Sequence, residues 1–183
     1  MSAETDAILR NLGWRIRSSG ERAQVIRNFQ RGYALGAALS VDGKIGPRTL
    51  AALRLCEKRR KARLPTASAH FSFVEFRCKC GGRYSNCQRC WIARATVLEL
   101  EKYRKSLGQG ISIVSGCRCP SHNAAVGGAS RSQHMTGKAV DFAALKSVSW
   151  FRSRGIFNGL GYNRSNGRVR HGDQSTTRSW VYG

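Results

Sequence analysis

Ten residues, Ser132 to Asp141 (SQHMTGKAVD), constrain this chain more than any other stretch. His134 and Asp141 lie seven apart, with Gly137 between them where a turn can fold the chain back. Asp141 then rises on a short strand beside His134. Its neighbours Val140 and Phe142 point to the opposite face, so they enter a core while Asp141 faces a cleft. An imidazole and a carboxylate brought together this way are two ligands for zinc. His171, in VRHGD, is the obvious third. Three protein ligands leave the fourth position for water, the arrangement of a catalytic rather than a structural site. Spacing alone leaves a structural pair or a surface histidine open.

Scarcity narrows the candidates. The chain has 183 residues, 32 of them Lys or Arg and only 10 Asp or Glu. After residue 70 the acids are Glu75, Glu99, Glu101, Asp141 and Asp173, and the histidines of the whole chain are His70, His122, His134 and His171. A formal net charge of +22 draws polyanions. Nucleic acid is not expected as the target, because no aromatic-basic repeat or finger spacing accompanies the charge. Anionic bacterial surface polymers such as teichoic acids or lipopolysaccharide fit equally well. A hydrophobic share of 41% supports a packed core, and no apolar run reaches membrane-spanning length. The start, MSAETDAILRNLGW, does not read as a secretory signal.

The expected fold class is α+β in two parts: a small helical domain over residues 1–66, then residues 67–183 with a small antiparallel sheet flanked by helices. In the first part Ala23–Leu35 reads as a helix with Val25, Ile26, Phe29 and Tyr33 near one face. A turn region follows (LSVDGKIGP), then a helix from Thr49 to Cys56, which the charged run Glu57–Arg63 ends or links onward. In the second part His70–Phe76 reads as a strand or extended lead-in, and Trp91–Leu107 as the clearest helix. Strands are expected at Ile111–Val114, Ala139–Ala143 and Val169–Asp173, with a short helix at Ser147–Ile156. Residues 176–182 then close a sheet edge.

Seven cysteines form an odd set. Cys78, Cys80, Cys87 and Cys90 cluster as CKCGGRYSNCQRC, and their C-x-C and C-x-x-C pairs suit a second, structural zinc. Disulfides or free thiols remain open. Cys117 and Cys119 flank Arg118, and one of them could pair with the 78–90 loop.

The stretch SGCRCPSHNAAVGGASRSQHMTGKAVDF resembles the M15 peptidases, zinc D-alanyl-D-alanine carboxypeptidases and endopeptidases of bacterial cell walls. Their S-x-H-x-x-G-x-A-x-D pattern is matched by Ser132, His134, Gly137, Ala139 and Asp141, with His171 later. The resemblance covers roughly residues 70–175. It implies that His134, Asp141 and His171 hold one Zn2+, that a metal-activated water is the nucleophile, and that Arg118 binds the substrate carboxylate or the developing oxyanion. Ser132 is expected to hydrogen-bond near the metal and His122 to support the loop around Arg118. Many relatives carry an acid three residues before the last histidine; here that position is Arg168. Asp173, two residues after His171 and so on the same strand face, is the expected proton carrier.

VDGKIGPRTLAAL resembles a peptidoglycan-binding module, through Asp42, Gly43, Gly46, Thr49 and Ala52, although Leu55-Cys56 replaces its usual closing F-Q. Together the two resemblances imply a monomeric phage endolysin. It would accumulate in the host bacterial cytoplasm and reach the wall once the membrane is permeabilised. A virion-associated wall peptidase and a non-catalytic wall-binding protein are the alternatives.

Overall fold

The computed structural model describes residues 2–182. Three helices open the chain: α1 (Ser2–Asn11), α2 (Ser19–Gly32) and α3 (Pro47–Lys61). Ser18 caps α2 by accepting from the Glu21 N–H, which satisfies one of the free amides of the first turn. Pro47 opens α3, where its missing N–H costs nothing. The charged run after Cys56 does not end α3, which continues to Lys61; long charged side chains have good helix propensity, and Arg60 pairs with Glu57 one turn back.

The loop between α2 and α3 is closed by one side chain. Gln30 Nε2 donates to Asp42 Oδ1 (2.8 Å), the Lys44 carbonyl (3.0 Å) and Thr49 Oγ1 (3.2 Å), and Gln30 Oε1 accepts from the Gly43 N–H (2.9 Å). The Asp-Gly…Thr signature is therefore a loop lock around a buried glutamine.

The segment after residue 70 is not a strand. Phe73–Phe76 forms a single 3-10 turn, because the Glu75 carboxylate reaches back to the Ser72 N–H (2.6 Å) and closes a capping box. Helix α4 (Arg94–Leu107) follows, then β1 (Ile113–Ser115), α5 (Pro120–Ala125), a 3-10 turn at Gln133–Thr136, β2 (Ala139–Phe142), α6 (Val148–Arg152), β3 (Gly159–Tyr162), β4 (Val169–Asp173) and β5 (Arg178–Val181). The fold is α+β. Its sheet runs β1-β2-β4-β3-β5 and is antiparallel except for the last pair, where β5 lies parallel to β3. The sequence pointed to an antiparallel sheet and did not show β3, a glycine-rich strand (GLGY) with little apolar alternation.

One hydrophobic core runs through both halves of the chain, from Ile8 and Leu9 to Leu160 and Val169. At the seam, Trp14 packs on Phe29 and Phe73 with ring centroids 5.9 and 4.7 Å away, and its Nε1–H donates to the Cys90 carbonyl (2.9 Å). Ala34 N–H bonds the Ala67 carbonyl, and Arg94 bonds the Tyr33 carbonyl. The helical part is thus built onto the sheet part rather than tethered to it.

Candidate metal centre

The two central strands build the site. In the antiparallel register of β2 and β4, Asp141 lies directly opposite His171. Val140 and Phe142 go into the core, so the alternation of β2 leaves Asp141 on the other face. His134 arrives from the 3-10 turn just before β2. That turn ends at Gly137, whose φ is +71°. A Cβ there would lie 1.7 Å from the Trp91 carbonyl oxygen, so only glycine allows this approach. The Gly137 carbonyl in turn accepts from Ala93 N–H (2.8 Å) and Thr96 Oγ1 (3.2 Å), docking the turn on the start of α4.

Three ligand atoms converge. His134 Nε2 is 3.3 Å from Asp141 Oδ1 and 3.3 Å from His171 Nδ1, and His171 Nδ1 is 2.8 Å from Asp141 Oδ1. Tetrahedral zinc with bonds of about 2.0–2.1 Å needs ligand edges of about 3.3–3.4 Å. Two edges fit that size and the third, at 2.8 Å, is shorter; the two-imidazole, one-carboxylate donor set fits zinc.

Each ligand is held from behind. His134 Nδ1–H donates to the Gly116 carbonyl (2.5 Å), which leaves the Nε2 lone pair facing the site. His171 Nε2–H points at Asp173 Oδ2 (3.3 Å), which leaves Nδ1 for the same purpose. Asp141 Oδ2 accepts from Arg118 (2.5 Å) and from the Tyr182 hydroxyl (3.2 Å), freeing Oδ1 to face the imidazoles. All three ligands and Asp173 are buried. Burial alone would raise the Asp141 carboxyl, but the close His134 and His171 imidazoles outweigh it and hold it well below the usual range. Burial likewise opposes the low value of Asp173, about 2, which His171 and Ser175 impose. Burial would lower His171; its two carboxylate neighbours raise it instead.

Asp173 shares the face of His171, but it meets the ring nitrogen turned away from the other ligand atoms. Its second oxygen accepts from the Ser175 N–H (2.8 Å) and hydroxyl. From this placement Asp173 can orient the His171 ring; the proton-carrying role stays an expectation from the sequence. A Cβ on Gly159 would lie 2.1 Å from Asp173 Oδ1, so the glycine of β3 leaves room for the carboxylate. The remaining acids of this part stand elsewhere: Glu75 caps its turn, Glu99 accepts from Phe157 N–H and Lys102, and Glu101 holds Ser68 and His70.

Arg118 lies beside Asp141, its Nε donating to Ser115 Oγ (3.2 Å) and its backbone N–H to the His134 carbonyl (3.1 Å). His122 lies on α5 with its carbonyl bonded to Val126 N–H, and the Ser132 carbonyl accepts from Met135 N–H to form the turn that aims His134. Tyr182 and Trp180 were not foreseen. Their rings lie 4.9 and 5.3 Å from that of His171. The alternation R-x-W-x-Y over residues 178–182 was the available signal.

A second group gathers Cys78, Cys80, Cys87 and Cys119, with sulfurs all within 4.8 Å of one another. Cys90, placed in this group on spacing, instead lies in the main core with its Sγ at the Phe73 carbonyl (3.4 Å). The turn at Arg89 (φ +76°) sends the two neighbouring cysteines to different sides.

The sheet and its three ligands define a mononuclear metal site of two imidazoles and one carboxylate, with Arg118 and Tyr182 beside it. A family model for peptidase M15 matches residues 69–170, more than half of the chain, and the chain belongs to that family. A second model, "Predicted Peptidoglycan domain", matches residues 24–73. The chain is 29% identical over 151 residues to the zinc D-Ala-D-Ala carboxypeptidase of Streptomyces albus G, covering 69% of this chain and 59% of that protein. It therefore spans less than two thirds of that relative's length. Among the described residues no helix is long and apolar enough to cross a membrane.

Proposed function

We propose that this chain hydrolyses peptide bonds in bacterial peptidoglycan, using zinc held by His134, Asp141 and His171. The observation that carries this reading is the ligand triangle with edges of 3.3, 3.3 and 2.8 Å, every corner fixed by a hydrogen bond from outside it. When bound, zinc supplies a Lewis acid that polarises the scissile carbonyl and acidifies a water molecule. The protein does the rest by orientation. Gly116 and Asp173 set the imidazole tautomers, and Arg118 and Tyr182 set the carboxylate. Arg118 also offers a planar fork for a peptide carboxylate, which suits a stem peptide ending in D-alanine. The similar carboxypeptidase named for D-Ala-D-Ala supports that substrate class.

The helical part anchors the enzyme to the wall, a role supported by its match to a peptidoglycan domain. The charge of +22 supports an approach to anionic envelopes and fits a phage lysis enzyme. Zinc content and turnover of His134→Ala test the reading together. We expect the loss of one zinc equivalent and of peptide hydrolysis. A variant that keeps both overturns the assignment.

A further inference from the structure

We propose that Cys78, Cys80, Cys87 and Cys119 bind a second, structural zinc that ties the Arg118 loop to the cysteine-rich loop before α4. The geometry has the right size. A zinc tetrathiolate with bonds of about 2.3 Å has sulfur–sulfur edges of about 3.8 Å. Cys78 Sγ and Cys119 Sγ lie 3.8 Å apart, and all four sulfurs fall within 4.8 Å. A disulfide needs about 2.0 Å, and all seven cysteines are free thiols.

The surroundings match a thiolate centre. Cys119 N–H points at Cys78 Sγ and Arg89 N–H at Cys87 Sγ, both at 3.4 Å, so backbone donors face the sulfurs. Gly81 and Gly82 follow Cys80 with φ of +66° and +86° and turn the loop around the group. Four thiolates and one divalent cation leave a net negative charge, and Arg89 in this loop carries a buried Nε with no hydrogen-bond partner among the described residues.

Cys119 gives the site its purpose. It neighbours Arg118, which touches Asp141, while Cys117 N–H on the other side bonds the Phe76 carbonyl (2.9 Å). The first three cysteines come from one loop, and the fourth comes from the loop that carries Arg118. A metal here fixes that guanidinium over the catalytic centre. This role rests on the proposed peptidase reading; the existence of the site does not.

The test is metal counting on the full chain purified under reducing conditions, with cobalt substitution as a second readout. We expect about two zinc equivalents per chain in the wild type, falling to one in Cys119→Ser and in Cys80→Ser and staying at two in Cys90→Ser. Cobalt in the wild type should give strong near-ultraviolet sulfur-to-metal absorption, retained in His134→Ala and lost in Cys119→Ser. Because His134→Ala removes the other site, failure of the peptidase reading would leave this signal intact. Wild-type protein with no sulfur-to-cobalt absorption overturns the proposal, as does a thiol titration showing disulfides in the freshly isolated chain. The wild-type spectrum decides the matter even if a variant fails to fold.

Discussion

Asp173 distinguishes two kinds of carboxylate by what each touches. A proton carrier must reach the reacting water, whereas an orienting residue must reach the far nitrogen of a ligand. Asp173 reaches the far nitrogen, at 3.3 Å. Asp173→Asn keeps an acceptor there, so we expect zinc affinity to fall roughly 10–100-fold and most turnover to return at saturating zinc. Full zinc content with turnover down about 10²–10⁴-fold would instead assign Asp173 as the proton carrier. Arg118 is bidentate by nature, and lysine cannot reproduce its fork. Arg118→Lys should raise KM for a carboxylate-ended stem peptide about 10-fold or more, measured by steady-state kinetics with zinc content checked on the same sample. An unchanged KM would remove Arg118 from substrate binding. His134 and Asp141 were suggested by their spacing around Gly137, but the full set with His171 was legible as a set only through the motif resemblance. The backing groups Gly116 and Tyr182 were not legible, because they reach the site only through tertiary pairing.

At the scale of elements, the site depends on where two turns dock. The His134 turn leans on α4 through Gly137, and Gly137→Ala forces both a positive φ and a clash with the Trp91 carbonyl. We expect a loss of about 2–4 kcal/mol in a denaturant melt, and no measurable change would contradict the packing described. The junction of the helical part is held by α4 as well. Glu101 accepts from Ser68 Oγ (2.6 Å), His70 N–H (2.9 Å) and pairs with His70 Nδ1 (2.7 Å). Burial pushes its pKa up, but these hydrogen bonds outweigh burial and bring it below 4.5. Its stabilisation is therefore present above pH 4.5 and is lost as pH falls through the lower folded value. Glu101→Gln should cost about 1–2 kcal/mol at neutral pH, a difference that shrinks in acid melts. A difference independent of pH would contradict it. The helices α2, α3 and α4 were readable from apolar periodicity. The capping turn at Phe73–Phe76 was misread as extended, because HFSFVEF alternates while Ser72 and Glu75 decide the conformation locally. Cys119 was outside the expected cluster because a separation of 41 residues from Cys78 is closed only by the fold.

For the whole molecule, the continuous core sets what can be cut apart. The sequence boundary near residue 66 falls where composition changes, but Trp14 and Phe29 bury themselves against Phe73 across it. A fragment of residues 1–66 should therefore stay largely unfolded by circular dichroism while the full chain folds. A cooperatively folded fragment would show two independent units. Trp14→Ala in the full chain should cost about 3–5 kcal/mol in both halves at once, seen as a single shifted transition. The claim that this assembly is a zinc peptidase of the cell wall meets its most direct test in one experiment. Purified sacculi are digested with the full chain, with chelator, and with zinc restored, and the soluble products are identified by mass spectrometry. We predict stem-peptide fragments or free D-alanine with the metal present, none with chelator, and recovery on adding zinc. Sacculi that bind the protein yet release no peptide product under any of these conditions would contradict the account and leave a wall-binding protein in its place.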